Sequence, residues 1–490
     1  MAIPEFIQAE LIGPYGASVL HKLGKIERWY HIYEHGADFE ADPSEDYTPS
    51  KLCSRQIRKL INKEAQFAFG RTPELRVTCP DETPDKNRRK PNEDAMQQLL
   101  NAVLRQNFFP RRLIQGAKDC FIGGRVAIKL NLSEDDLTIN FVPADGFVYD
   151  TEADDTDKLT KIVFFYTMKD DTERSQQRIW VQKYHMQNGR CILDERITDG
   201  YGVPVGKDEF EEKVNFDTGL DRIPAVVVIN GGLSGDLEGE SDVETLMADD
   251  SWYNKMRSAN LDSLRKGMDQ ITYAVGASEG SIRNFRIAPG AFWDVQPDAA
   301  LMDSNGDFAT PEIGTISNDF GYSTAFGDTL SDLKQEMHDV IGVPDINLES
   351  MKSIITSGKA MKAVYWPLIC ACEEKMTAWK PALEWLADTI LYAVERFSSL
   401  QEKYGAFTPA PHTVTVDNLY PLPEDEDEEK ALDLQEVANH VRSAKSYLLK
   451  WGGPDSRGLT PEEADAEIAQ IAKERRLFEE SFSGDLNGEH

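Results

Sequence analysis

The chain has 490 residues, 40% hydrophobic and 28% charged, enough for a packed core and, by length, for two or more domains. Lys and Arg number 53 against 85 Asp and Glu, a net charge of -32. That balance argues against a protein that grips nucleic acid tightly or lies on an anionic membrane, since both need clustered cations.

In chain order, Met1-Ala2-Ile3-Pro4-Glu5 lacks the basic start and apolar core of a signal peptide. Pro49 to Phe69 reads as an amphipathic helix, with Leu52, Ile57, Leu60, Ile61, Ala65 and Ala68 at threes and fours and Gly70 as its stop. A Pro-, Asp- and Lys-rich loop follows from Pro80 to Pro91. A helical block at Glu93 to Asn107 then leads through Pro110 to another that ends at Gly123-Gly124. From Arg125 the period changes to two. Val126 to Leu130 and Leu137 to Val142 flank an acidic turn as a hairpin, and strand-like runs recur at Ile162 to Met168, Arg178 to Met186, Cys191 to Thr198 and Ile223 to Ile229.

Asn230 to Gly235, followed by Gly239, reads as a glycine-rich hinge before a helix from Ser241 to Met268, where Asp242 and Glu244 suit the positive end. A Gly-, Pro- and aromatic-rich insert runs from Ile271 to Pro311. A helix from Ser323 to Ile341 follows, striped by Phe326, Leu330, Leu333, Met337 and Ile341. A turn-rich segment, Val343 to Asn347, leads to Ser357-Gly358-Lys359 and a helical pattern reaching Phe397. Unbroken, that helix would extend roughly 60 Å. Pro367 and Pro381 inside it each remove a donor and crowd the carbonyl four residues back, so each is expected to kink or locally end it. Its most apolar stretch, around Ala363 to Cys372, falls short of the ~20 residues a bilayer span needs. A strand at Thr413 to Val416, an acidic run from Glu424 to Glu429 and two C-terminal helices complete the chain. The last opens on the capping signal Thr460-Pro461-Glu462-Glu463. Six scattered cysteines without zinc-ribbon spacing read as thiols of a reducing compartment, so the cytoplasm is expected.

Five segments in this order resemble the portal proteins of tailed bacteriophages, of the long-tailed-phage type. They are Lys59 to Lys63 through Phe69-Gly70-Arg71-Thr72-Pro73; Phe141-Val142-Pro143 through Phe147-Val148-Tyr149-Asp150; Gly239 to Glu244 with Tyr253-Asn254; Ser357 to Lys362; and Gly452 to Ser456 before Thr460-Pro461-Glu462. The resemblance implies an α+β fold with a mixed α/β wing over 1–240, stem helices over 241–270 and 312–343, and a small β-containing clip over 271–311. It further implies a tunnel loop over 344–357, a long kinked helix returning to the wing over 358–423, and a helical crown over 424–490.

By the same resemblance the chain would form a ring, usually of twelve copies, at one capsid vertex of the virion after assembly in the host cytoplasm. Double-stranded DNA would pass through the channel with weak contacts. Terminase large subunit, head-tail adaptor, major capsid and scaffolding proteins would be partners, with no membrane, cofactor or catalytic residue. Asn347, Glu349, Ser350, Met351, Lys352, Ser353 and Lys359 would line the tunnel, with Lys362 a further nearby cation; Arg283, Arg286, Phe292 and Trp293 would serve docking at the clip. A net negative wall suits a passing polyanion, because neutralising many phosphates would brake it.

A competing motif is His31-Ile32-Tyr33-Glu34-His35, literally the H-x-x-E-H of inverzincins, which would need a third, distant ligand. Gly36 places it at a helix end, where surface and packing roles are the bland alternative. Ser357-Gly358-Lys359 lacks the upstream glycine of a Walker A loop, so a packaging ATPase would be another protein. A metal-dependent hydrolase using His31, Glu34 and His35, and a different ring or scaffold protein with a long helical strut, stay open beside the portal reading.

Overall fold

The computed structural model describes residues 16–40, 48–83, 90–132, 136–169, 173–206, 210–268, 271–278, 295–298, 300, 307, 310–316, 321–346, 358–421, 426–453 and 458–485. The chain forms two compact units, one of residues 1–345 and 367–421, the other of 346–366 and 422–490.

The first unit opens with helices α1 (Gly16–His35) and α2 (Gln56–Phe69), strand β1 (Glu74–Thr78), and helices α3 (Pro91–Gln106) and α4 (Phe109–Gly123). The helix expected from Pro49 starts only at Gln56, because the backbone of residues 50–54 is engaged elsewhere. Pro91 opens α3, where its missing N–H costs nothing.

Strands β2 (Arg125–Leu132), β3 (Leu137–Pro143) and β9 (Ala225–Ile229) form an antiparallel three-stranded sheet in the order β3-β2-β9. Strands β4 (Phe147–Thr151), β5 (Leu159–Lys169), β6 (Arg178–Gln187), β7 (Arg190–Thr198) and β8 (Lys213–Asp217) form a five-stranded meander. The hairpin expected at 125–142 is present, with Ile128 opposite Phe141. Ala127, Phe147, Tyr149, Ile162, Phe164, Tyr184, Leu193 and Ala225 make a buried cluster between the two sheets. The outer face of the small sheet is covered by α4, where Phe141 lies so close to Gly116 that any Cβ there would strike its ring at 2.2 Å.

Next come helix α5 (Asp242–Met268), strands β10 (Ile271–Val275) and β11 (Glu312–Ile316), and helix α6 (Ser323–Ile341). Residues 312–316, expected within the second stem helix, instead pair antiparallel with β10, from Ile271 opposite Ile316 to Val275 opposite Glu312. The stripe Phe326, Leu330, Leu333, Met337 and Ile341 falls on shielded positions of α6, which Lys334 and His338 share.

Helix α7 (Gly358–Arg396) is continuous through Pro367 and Pro381, so neither proline ends it. From Pro367 onward it contributes Leu368, Trp379, Leu383, Leu386, Ile390 and Val394 to the core of the first unit. Helix α8 (Ser398–Tyr404) and strand β12 (Thr413–Asp417) follow, and β12 pairs with β1. The other edge of β1 is closed by a side chain: Val77 N–H donates to Gln97 Oε1 at 2.8 Å, and Gln97 Nε2 donates to the Leu75 carbonyl at 2.9 Å. That blunts an edge that would otherwise invite another strand.

The second unit holds the start of α7 and helices α9 (Glu426–Ala438), α10 (Ala444–Trp451) and α11 (Pro461–Asp485). Two helices were expected after the acidic run, and three are found because that run itself opens α9. Asp433 is the polar centre of this unit, receiving Trp451 Nε1 at 2.6 Å, Arg442 at 2.5 Å and Lys450 at 3.0 Å. The expected capping box forms, with Thr460 N–H donating to Glu463 Oε2 at 3.0 Å.

Candidate functional site

The most heavily built polar region surrounds the base of α5. Ser241 caps the helix: its Oγ accepts from Val243 N at 3.2 Å and Glu244 N at 3.3 Å, and donates to the Ile122 carbonyl at 2.6 Å, tying α5 to the end of α4. Beside it Gly124 and Gly239 meet backbone to backbone, both at positive φ. A Cβ on Gly239 would sit 2.1 Å from the Gly124 carbonyl oxygen. The glycine-rich stretch read as a hinge is stitched shut at its base, since Glu240 N–H donates to the Asn230 carbonyl at 2.7 Å and Asn230 N–H to that of Gly124 at 2.8 Å.

One turn into this junction Lys375 of α7 lies between Glu64 of α2 and Asp242 of α5, 2.6 and 2.7 Å from their oxygens, with its ammonium 3.9 Å from the Phe121 ring centroid. Burial, then the neighbouring Asp242, pushes the Glu64 carboxyl up to about 8. Burial opposes charge on Lys375 too, but Asp242 and Glu64 outweigh it and hold its pKa above the usual value. Near neutrality Glu64 is held protonated and Lys375 charged, and this one cation joins three helices.

Further along α5 the buried face turns polar. Asp250, Asn254, Ser258 and Asp262 recur every fourth residue, and each takes backbone groups of the extended strap before α2. Asp250 Oδ2 accepts from Ala37 N at 3.0 Å, Asn254 Oδ1 from Ser54 N at 2.8 Å, Ser258 Oγ from Leu52 N at 2.9 Å, and Asp262 Oδ2 from Ser50 N at 3.0 Å. A strap without a strand partner thereby satisfies its N–H groups. The spacing D-x-x-x-N-x-x-x-S-x-x-x-D was visible in the sequence, but a search for apolar stripes passes over it.

At the far end of α6, Gly342 caps the helix at φ 73°. His338 donates from Nδ1 to the Val343 carbonyl at 2.8 Å, and Lys334 pairs with Asp345 at 2.5 Å. These contacts fix the point from which residues 347–357 depart. Asn347, Glu349, Ser350, Met351, Lys352 and Ser353 lie outside the described residues, as do Arg283, Arg286, Phe292 and Trp293. Lys359 falls on the first turn of α7, and only its backbone is described.

His31 and His35 sit at the end of α1 as expected from Gly36. Their rings stack at 4.5 Å, and His35 Nδ1 is 3.1 Å from the His31 carbonyl. Among the described residues no group of three or more His, Cys, Asp or Glu could hold a metal ion, so the hydrolase reading gains no support. No helix of the described residues is long and apolar enough to cross a membrane.

Helices α5 and α6 thus flank the two-stranded ladder of β10 and β11, and the base of α5 is keyed to the mixed α/β body. The chain belongs to the SPP1 Gp6-like family of phage portal proteins, whose profile matches residues 15–477. It is therefore a portal protein, a component of the phage capsid from a structural, non-enzymatic family. No curated protein matches the chain.

Proposed function

We propose that this portal protein closes into a ring of twelve copies at one capsid vertex and forms the channel through which double-stranded DNA is packaged and later ejected. The single observation that carries the reading is the family match over residues 15–477. In this reading α5 and α6 form the stem and residues 271–311 the clip, on which the terminase large subunit and then the head-tail adaptor dock through Arg283, Arg286, Phe292 and Trp293. Residues 344–357 form the tunnel loop, with Asn347, Glu349, Ser350, Met351, Lys352, Ser353 and Lys359 nearest the axis. The C-terminal helices form the crown, and major capsid and scaffolding proteins meet the outside of the ring. A closed ring follows when one surface patch meets a different patch on the next copy and the rotation closes.

Mass measurement of the purified full chain, with negatively stained images, tests the reading. A closed ring of twelve with a central hole is expected. A species that stays monomeric with the capsid and scaffolding proteins present would overturn it.

A further inference from the structure

Strand β2 carries two cations into the apolar space between the sheets. Arg125 is matched there by Glu238 at 2.6 Å. Lys129, four residues on and on the same face, is not matched. Its side chain is buried, 3% exposed, with Nζ 4.4 Å from the Phe164 ring centroid, 4.6 Å from Trp180 and 5.9 Å from Tyr184. Among the described residues no hydrogen bond or ion pair engages its ammonium. The carboxylate that acts on it is Glu195, which is itself held by Trp180 Nε1 at 3.2 Å, Gln182 Nε2 at 3.2 Å and Lys213 at 3.1 Å. Aromatic faces attract a cation more weakly than burial without a counter-charge penalises an ammonium.

Lys129 also lines a cavity of about 610 Å³, together with Asn131, Asn140, Val142, Phe164 and Trp180. Asn140 is its cross-strand neighbour in β3, and its Oδ1 accepts from Arg112 at 3.1 Å, which leaves the Asn140 amide nitrogen as the donor. Asp145 lines the cavity too, with its pKa raised by burial.

We propose that this cavity binds a small organic anion, a carboxylate on an apolar or aromatic body, with the Lys129 ammonium and Asn140 amide as donors and Phe164, Trp180 and Val142 as walls. All of these residues come from one copy of the chain.

Benzoate is the probe, titrated into the full chain at about pH 6, where an amine of pKa about 7 is charged, and followed by tryptophan fluorescence and calorimetry. Inorganic phosphate runs in parallel. Benzoate should saturate in the ~millimolar range, and phosphate should bind about tenfold more weakly for want of an apolar body. Lys129→Met should bind benzoate about tenfold or more weakly while melting no lower than the parent. Asn140→Asp retains an acceptor for Arg112 but sets a carboxylate beside the ammonium, and it should abolish benzoate binding. No saturable benzoate binding by the parent, undiminished binding by either variant, or phosphate binding as tight as benzoate would each overturn the proposal.

Discussion

Lys375 and Lys129 are both buried ammonium groups, and the side chains around them set opposite consequences. Lys375 has two carboxyls within 2.7 Å, so removing it leaves Asp242 without its counter-charge and the protonated Glu64 without its partner. Lys375→Ala should therefore destabilise the fold by about 3–5 kcal/mol, and Lys375→Met combined with Asp242→Asn by clearly less, as read by chemical denaturation. Lys129 has aromatic rings but no such partner, and burial brings its pKa down from 10.5 to about 7. Between those values the unfolded chain holds the proton that the folded chain has lost, so this group makes stability rise with pH across that window; below about 7 the full penalty applies. Glu64 acts with the opposite sign. Its folded pKa of about 8 lies above the ordinary 4.5, so the folded chain holds the extra proton and stability falls as pH climbs from 4.5 to 8. Denaturation midpoints measured across pH should show Lys129→Met losing the rise and Glu64→Gln losing the fall. A Lys129→Met profile parallel to the parent's above pH 7 would show that the amine is not buried as a charge.

Among the elements, α5 departs furthest from the rule that a helix buries its apolar face. Beyond Val243 and Leu246 its buried positions are Asp250, Asn254, Ser258 and Asp262, because the strap they meet presents backbone N–H groups rather than side chains. Asn254→Leu would make the helix more amphipathic on paper, yet it should destabilise by about 1–3 kcal/mol, since Ser54 N–H and the Ala37 carbonyl lose their partner. Thermal melting of the variant checks this; an unchanged midpoint would mean that water replaces the amide. Gly342 is the counterpart on α6. At φ 73°, with a Cβ due to sit 3.0 Å from the Pro367 carbonyl, Gly342→Ala should cost about 1–2 kcal/mol from the backbone alone. Helix α7 tolerates its prolines because the rest of the helix is anchored by packing: Trp379, Leu383 and Leu386 are almost completely buried and Trp379 meets Phe69 at 4.9 Å. Tertiary burial of that kind outweighs the loss of single backbone bonds.

For the whole molecule, a net charge of -32 per copy makes any ring of this chain formally repulsive to DNA. Under the proposed tunnel-loop assignment, one Lys352 per copy neutralises few phosphates at a time. Lys352→Glu should then lower packaging efficiency or DNA retention, more at low salt than at high, with ring assembly intact. Full-length packaging at the parental rate across salt concentrations would reduce the loop to a steric collar.

The sequence by itself determined the order of parts and the family. Periodicity is a local property, so the hairpin of β2 and β3, the stripe on α6 and the capping box at Thr460 could all be read from it. Tertiary structure decided what local pattern cannot carry. Strand β1 is a short segment that becomes a strand only because β12, more than three hundred residues away, supplies its partner. The glycines before α5 read as freedom, but Gly239 is small so that Gly124 can approach it. Pro367 reads as a kink or a local end, and the helix runs on past it. Lys129 and Lys375 look alike in the chain, and only the side chains gathered around them from distant elements make one an ion-pair centre and the other an unmatched charge.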